Sequence, residues 1–525
     1  MDNSYSNNSI MPEILASVIS VVAGLMTYIS RLGFDNDFNL IMKSVLLSFF
    51  LIFTPNQVMK WRKVKNGSYK LLSKPLIFLL LFMIIIIVSY IENYININLL
   101  NYFCLIGIIA TIKTIIGIKR IFYFRSDFLL LCIFIVFGMW ATSIYCNDNY
   151  IHPLMKEKII TGAWAHRDYM YFSSISGMFK TYGISGTGLD GLLPHSYHVL
   201  SYNLYGILSR LMNVSTMTFY SRIVPVLITP IFFLLFIWCV FEFKKYYYSL
   251  YNYSEVKNYR INFYLLLLCI FSFPLSRLFL LPIPFYSMLE TYQYIISPSY
   301  FIALLISFIF ISIIISILNN YRYNIKINPK INRVAIFSIP IFFYVISYTK
   351  LSFLYIFGMC FLYILLRLKL LKISEYRYSA FLSLVVFIII STKLIFNFDG
   401  GMHGAFNASG GPQIFNNYIF NYYISELFHY PFYIYPSLIF IVIKFYCFSV
   451  NSFNKLIDNV KSYYFLDVEL LLFLMIISFI PPYGYFKGIQ IYLSYFLILS
   501  HFNLFLDRLF NSNNIILSIP YSEYN

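Results

Sequence analysis

The sequence predicts an all-α protein built as a polytopic bundle of membrane helices, and two observations carry that prediction. Of the 525 residues, 60% are hydrophobic and only 11% are charged, and the mean hydropathy is +0.73, whereas about a quarter of the residues in soluble domains are charged. The apolar residues are also gathered in fourteen runs of about 15 to 21 residues. Runs of this length cross the roughly 30 Å of hydrocarbon in a bilayer as helices, so we expect about fourteen transmembrane helices.

The apolar runs follow one another along the chain with polar segments between them. If the run 39–54 or the closely spaced pair within 334–366 does not span, the count falls to twelve or thirteen. The predicted spans are 14–31, 39–54, 75–91, 98–117, 128–146, 223–243, 262–281, 299–318, 334–348, 351–366, 379–396, 432–449, 467–481 and 489–506.

The net charge of +17 comes mainly from short loops that alternate with uncharged ones. Because Lys and Arg concentrate in cytoplasmic loops, this distribution indicates a membrane orientation and not a nucleic-acid partner. It predicts that both termini are cytoplasmic. The basic loops are 55–74, 118–127, 244–261, 319–333 and 367–378.

The remaining connections are predicted to face outward, and two of them, 147–222 and 397–431, are long. Six of the seven His residues lie in these outward loops, so the polar chemistry is concentrated on the external face. We divide the chain into an N-terminal accessory module of about four helices, 1–127, and a core, 128–525, that carries both long loops. The second of these loops begins rich in glycine and then becomes aromatic, which is typical of a lid or an acceptor-binding loop.

The first long loop contains two segments with helical periodicity. Apolar residues from Tyr171 to Tyr182 recur at helical spacing, and so do those from Tyr197 to Leu211. Each helix is too short to span, so we expect both to lie on the membrane surface. The segment GISGTGLDGLLPHS between them predicts a tight irregular turn. The two helices would form a shelf at the mouth of the bundle.

An Asp at the start of a juxtamembrane helix in a long external loop, with the run TGLDG (187–191) and the pair Tyr197–His198 after it, resembles the GT-C-fold glycosyltransferases of bacterial surface-polysaccharide synthesis. The resemblance covers about 128–506 in topology and 164–205 in motif. In that family the loop follows the first helix, whereas four predicted spans precede its helix here, so the first four must be an addition.

The resemblance implies an inverting enzyme of the bacterial cytoplasmic (inner) membrane with an external, periplasmic active site. The donor would be a polyprenyl-phosphate- or polyprenyl-diphosphate-linked sugar, and the acceptor a glycan or a lipid. Asp168 is the candidate general base, which must reach the acceptor hydroxyl. His166, Arg167, His195 and His198 are candidates for offsetting the charge of the leaving phosphate.

Each of these residues also has a structural interpretation. Asp168 suits the N-cap of the surface helix. Asp190 is a candidate for the substrate site, but it lies between glycines as turn residues do. Tyr197 and His198 fit a helix start as well as a substrate site. His166 and Arg167 equally suit anchors to lipid headgroups.

Further candidates are charged residues within or between predicted spans, where charge is costly. Arg277, Lys350 and Lys393 lie toward the outer ends and suit a lipid phosphate, although their side chains also fit extension to the interface. Lys444, like Lys113, lies nearer an inner end, where extension to the interface explains it. Glu290 is a candidate second carboxylate. Two scattered carboxylates do not make a divalent-cation site, so we predict no metal and no cofactor.

Two other functions fit the same pattern. A polymerase of O-antigen or capsule repeat units also has about a dozen spans and two large external loops. A flippase or exporter of lipid-linked oligosaccharide shares the span count, but transporters place polar residues near the membrane midplane between related halves. The polar residues here gather in one external loop, which favours an enzyme.

Overall fold

A computed structural model of the chain shows helices throughout the part that it describes. These residues are 11–29, 38–65, 74–95, 99–116, 132, 135–136, 138–139, 167–186, 199–250, 298–322, 329–372, 374–396, 440–445 and 466–478. They contain no strand, as the all-α prediction requires.

Twelve longer helices order the described part of the chain. A short helix, Thr216–Thr218, and a π-helical turn, Phe219–Ile223, lead directly into α7, and a 3₁₀ turn, Leu370–Lys372, follows α10. The longer helices are α1 Met11–Ile29, α2 Phe38–Lys65, α3 Lys74–Ile95, α4 Leu100–Ile116, α5 Arg167–Tyr182, α6 Val199–Leu211, α7 Val224–Leu250, α8 Pro298–Arg322, α9 Pro329–Thr349, α10 Leu351–Arg367, α11 Ser374–Phe396 and α12 Leu466–Ser478.

Wherever a predicted span falls on described residues, those residues are helical. Three helices are long and apolar enough to cross a membrane, at Pro12–Ile29, Phe38–Val58 and Val224–Phe243. The run 39–54 is therefore one of the supported spans. Shorter apolar helices lie in α3, α4, α8, α9 and α10. The count of fourteen stays a prediction, because the spans 262–281 and 489–506 lie outside the described residues.

The chain divides into two compact units, Met1–Trp238 with Ile296–Ile309, and Cys239–Ile295 with Phe310–Asn525. The division falls within α7 and α8, so each of these helices contributes to both units. The predicted boundary between 127 and 128 stays a prediction.

In the first unit, α2 and α4 pack closely and run in the same direction. The Cys104 thiol donates to the Lys43 carbonyl oxygen at 3.7 Å. Further along both helices, toward their C-termini, Gln57 Nε2 donates to Thr114 Oγ1 at 2.6 Å. Between these contacts Gly107 removes the side chain that would block the approach, since a Cβ there would lie 2.6 Å from the Leu46 carbonyl oxygen. Small residues allow this close contact between membrane helices.

A buried polar cluster joins α1, α3 and α7 at one end of the first unit. The fully buried Glu13 accepts from Lys74 Nζ at 2.7 Å and from Trp238 Nε1 at 3.0 Å, both through Oε1. Lys74 Nζ also lies 5.7 Å from the centre of the Trp238 ring. The cluster therefore brings together the start of α1, the start of α3 and the second half of α7.

In the second unit, aromatic side chains fill the space between α8, α9 and α10. The Phe310 and Phe342 rings are stacked with centroids 3.7 Å apart, and Phe357 meets both edge-on. Helices α9 and α10 form a hairpin with the single residue Lys350 between them. The predicted close pair in 334–366 is therefore two helices.

Two ion pairs lie at one end of α12. Glu469 receives a bidentate contact from Arg367, at 2.8 Å from Nε and 2.9 Å from Nη2, and a hydrogen bond from the Tyr363 hydroxyl at 2.6 Å. Lys444 Nζ lies 2.7 Å from Asp467 Oδ2, and the Lys444 side chain is fully buried. The expectation that Lys444 extends to the interface is wrong, because a carboxylate compensates its charge inside the protein.

Candidate functional site

Helices α5 and α6 of the predicted shelf lie side by side and run in the same direction. Near the N-terminal ends, the Phe172 ring stacks on the Tyr202 ring with centroids 5.2 Å apart. Near the C-terminal ends, Arg210 Nη2 donates a hydrogen bond to the Lys180 carbonyl oxygen. Residues in contact differ by 30 positions at both ends of the pair. This constant register places the first turn of α5 beside the first turn of α6.

The contact between the two helices depends on a glycine. A Cβ at Gly206 would lie 2.7 Å from the Ser176 carbonyl oxygen and 3.2 Å from the Phe179 ring. After α5, Gly183 takes a positive φ of 74° and its N–H donates to the Phe179 carbonyl oxygen at 2.9 Å. Glycine adopts this conformation without strain and ends helices in this way. The tight irregular turn predicted for this connection lies mostly outside the described residues and stays a prediction.

A row of buried hydroxyl groups ties α5 to the segment that leads into α7. Thr216 Oγ1 donates to the Ser173 carbonyl oxygen at 2.8 Å, and the Ser173 and Thr216 hydroxyls are 3.1 Å apart. One turn later the Ser176 hydroxyl lies 3.1 Å from the hydroxyl of Tyr220, whose pKa is raised by burial. Tyr205 of α6 packs against the Tyr220 ring at 4.7 Å. Buried hydrogen bonds of this kind fix one arrangement of the helices.

Helix α6 is enclosed on more sides than one apolar stripe predicts. Tyr202, Gly206 and Ser209 are buried in addition to the apolar positions of the predicted face. Ser89 of α3 donates to the Ile207 carbonyl oxygen at 3.2 Å, so α6 packs against α3 as well as against α5. The prediction that α6 has a single apolar face is wrong for this reason, and its position at the membrane surface stays a prediction. Helix α5 keeps an exposed side that includes Tyr171 and Tyr182.

The predicted catalytic residue, Asp168, lies in the first turn of α5, directly after Arg167, which begins the helix. The N-terminus of a helix favours an acidic side chain through the helix dipole, and the same dipole favours bound anions. His166, Asp190, His195, Tyr197, His198, Arg277 and Glu290 lie outside the described residues. Their roles stay predictions.

Lys350 and Lys393 both belong to the second unit. Burial lowers the pKa of Lys350 to about 8, and its backbone N–H donates to the Ile346 carbonyl oxygen at 2.8 Å. Tyr355 of α10 packs edge-on against Phe387 of α11 at 5.2 Å. Since Lys350 directly precedes α10 and α11 ends shortly after Lys393, this contact puts the two backbone positions at the same end of the two helices.

Sequence reasoning did not identify the polar residues that hold α5 in place. Ser173 and Ser176 interrupt an apolar face, and their three-residue spacing is the one signal that both face the same neighbour. Lys180 Nζ donates to the Val214 carbonyl oxygen at 2.6 Å. Burial and the nearby Arg210 charge lower the pKa of Lys180. No sequence pattern marks Lys180 and Arg210 as contact residues beyond their positions in the last turns of α5 and α6.

Within the described ranges, no group of three or more His, Cys, Asp or Glu side chains could hold a metal ion. Comparison with known proteins gave no match, because no family model, no curated protein and no solved structure matches the chain.

Proposed function

We propose that this chain is a membrane glycosyltransferase that acts at the outer face of a bacterial cytoplasmic membrane. Its donor is a polyprenyl-(di)phosphate-linked sugar, its acceptor is a glycan or a lipid, and its product belongs to a surface polysaccharide. Asp168 is the general base. The N- and C-termini lie in the cytoplasm.

The observation that carries the proposal is the parallel arrangement of α5 and α6. It puts the positive ends of two helix dipoles side by side, next to the turn that contains Asp168. Helix N-termini bind phosphate through their unpaired backbone N–H groups. A carboxylate base and a place for a phosphate are the two features that this transfer requires.

The reaction follows from these two features. The acceptor oxygen attacks the anomeric carbon from the face opposite the phosphate, and Asp168 takes the hydroxyl proton. The bond from the anomeric carbon to the phosphate oxygen breaks, and its electron pair leaves with the polyprenyl phosphate. The configuration at the carbon inverts. Lys350, Lys393 and Arg277 stay candidates, from the sequence alone, for binding a lipid phosphate.

Two contacts of α3 support the proposed orientation. Lys74, at the start of α3, forms an ion pair with Glu13, at the start of α1, and the charge pattern assigns both of these helix ends to the cytoplasm. Ser89, further along α3, contacts α6. These fifteen residues of helix separate the two contacts by about 22 Å. If the Lys74 end is cytoplasmic, α6 belongs to the opposite, external side.

Rigid support of the catalytic turn also favours an enzyme. Ser173 and Ser176 begin one turn after Asp168 and are hydrogen-bonded to Thr216 and Tyr220. Helix α5 is therefore held along its length by buried contacts. A base held by packed helices keeps its geometry more accurately than one on an unsupported loop.

The test is complementation of a deletion strain with Asp168→Asn, scored on a gel of surface polysaccharide and accompanied by a measurement of inserted protein. The control is Glu375→Gln, because Glu375 occupies the first turn of α11, as Asp168 does in α5. We expect loss of product with Asp168→Asn at normal abundance and full product with Glu375→Gln.

Other outcomes would favour the other functions. Retained product with Asp168→Asn contradicts the assignment of the base. Accumulation of single repeat units in place of long chains, in a strain that lacks the protein, would indicate a repeat-unit polymerase. Accumulation of complete lipid-linked oligosaccharide on the cytoplasmic leaflet would indicate an exporter.

A further inference from the structure

Two cations meet at the C-terminal ends of α5 and α6. Lys180 Nζ donates to the Val214 carbonyl oxygen at 2.6 Å, and Arg210 Nη2 donates to the Phe179 carbonyl oxygen at 3.3 Å and to that of Lys180. The helices run in parallel, so both C-termini lie at the same end. The carbonyl groups thus hold an ammonium and a guanidinium beside each other in spite of their equal charge.

These contacts leave N–H donors of both groups unused. An ammonium and a guanidinium carry several donors each, whereas the Arg210 contacts in the described part of the chain involve Nη2 only. No carboxylate of the described residues forms an ion pair with either side chain. Both side chains are partly exposed. A paired cation with spare donors is suited to a phosphate, which a guanidinium binds as a fork.

The surface beside the two cations is apolar and aromatic. Tyr182 is 68% exposed and Ile184 is 53% exposed, and they lie two and four residues after Lys180 in the chain. Tyrosine is favoured at the boundary between lipid and water, and basic residues near that boundary attract anionic lipids. At sixteen residues, α5 is too short to span a bilayer. The cations and the exposed side chains therefore match a lipid headgroup and the acyl region beneath it.

We propose that Lys180 and Arg210 form a binding site for the phosphate of a phospholipid headgroup, which holds the C-terminal ends of α5 and α6 at the membrane surface. The site lies at the opposite end of α5 from Asp168. It is independent of the proposed reaction, because a polymerase or an exporter of the same structure would bind the lipid equally.

The experiment is lipid binding to the full-length protein in a mild detergent, measured by native mass spectrometry with added phosphatidylglycerol. The double variant Lys180→Gln/Arg210→Gln removes both charges. Each cation near a lipid surface contributes about 1 kcal/mol, so we expect binding to weaken roughly ten- to thirtyfold. Lys43→Gln is the control, because Lys43 is a partly buried cation of the first unit outside this pair. Asp168→Asn should bind the lipid normally.

A second measurement distinguishes loss of lipid binding from a general loss of stability in a variant. The thermal unfolding midpoint of each variant is compared with and without phosphatidylglycerol, since a ligand that binds the folded state raises the midpoint. We expect the rise in the wild type, in Lys43→Gln and in the charge-conserving Lys180→Arg, and its loss in the double variant.

Three results would overturn the proposal. The first is equal lipid binding by the wild type and the double variant. The second is displacement of the lipid by an equal concentration of inorganic phosphate, which would identify a site for a soluble anion. The third is strong preference for polyprenyl phosphate over phosphatidylglycerol, which would assign the two cations to the substrate.

Discussion

At the scale of single residues, two buried charged side chains, Glu13 and Lys444, are stabilised by specific partners and not by contact with the interface. Lys444 is fully buried beside Asp467, and Glu13 is fully buried between Lys74 and Trp238. Partners 61 and 225 residues apart in the chain cannot be identified from helical periodicity, which reports only which residues share a face. Helical periodicity likewise does not identify Asp467 as the partner of Lys444, so extension to the interface was the wrong expectation for Lys444.

The Lys444–Asp467 pair should be important for stability. Asp467→Asn removes the carboxylate from beside a buried ammonium, and breaking a buried pair in this way costs roughly 3 kcal/mol or more. The thermal unfolding midpoint in detergent measures the effect, with Glu375→Gln as the control in the first turn of another helix. Replacing both partners, as Lys444→Met with Asp467→Leu, should recover much of the loss. An unchanged midpoint in Asp467→Asn would contradict this account of the pair.

The buried position of Lys350 predicts that the free energy of unfolding of the protein increases at alkaline pH. It lies between two apolar helices, outside both, and burial lowers its pKa to about 8, compared with about 10.4 in an unfolded chain. Between these values the unfolded state binds more protons, so the free energy of unfolding increases with pH across the window from about 8 to about 10.4. The contribution is fully present above that window and is lost as the pH falls through 8.

The measurement is the unfolding midpoint from pH 7 to pH 10 for the wild type, Lys350→Met and the exposed control Lys372→Met. Lys350→Met should be more stable than the wild type at pH 7, and the difference between the two should shrink as the pH rises. A difference that is constant with pH would show that Lys350 does not lose its proton near pH 8.

At the scale of helices, sequence patterns predicted the existence of α5 and α6, but they carry no information on the relative direction of the two helices. Apolar residues at helical spacing from Tyr171 to Tyr182 fall within the observed α5, Arg167–Tyr182, and Gly183 follows its last residue with a positive φ. The sixteen residues between the helices can connect them in either direction, so the glycine content of this segment does not decide whether the helices are antiparallel or parallel. The direction follows instead from the fit of Gly206 against α5.

The close contact at Gly206 predicts a sharp steric limit. Gly206→Ala places a Cβ 2.7 Å from a backbone oxygen of α5, so the helices must separate, at a cost of about 1–3 kcal/mol. Gly358→Ala is the matched control, because a Cβ there has nothing within 4 Å and alanine favours the helix by about 1 kcal/mol. Unfolding midpoints should fall for the first variant and stay level or rise for the second. Equal effects at both positions would contradict the close approach.

At the scale of the whole chain, the helices are readable from the sequence because long apolar runs and alternating basic loops have strong composition signals. Helices α1, α2 and α7 meet the length and composition of membrane spans. Contacts inside the first unit agree with the alternation: α2 and α4 are parallel, and the start of α3 meets the start of α1. The candidate site is less readable, because its base is one Asp in a helix start and its supporting hydroxyls and cations depend on pairings that packing alone decides.

The central claim is that α5 and α6 lie on the external face of the membrane. The most direct measurement is labelling of Ser174→Cys, on the exposed side of α5, by a membrane-impermeant maleimide in intact cells, above the background of the unsubstituted protein. The comparison is Lys372→Cys, an exposed position in a predicted cytoplasmic loop. We predict that Ser174→Cys is labelled in intact cells and that Lys372→Cys is labelled only after the cells are permeabilised. The reverse pattern would place α5 in the cytoplasm and contradict the proposed orientation, the external site and the function built on it.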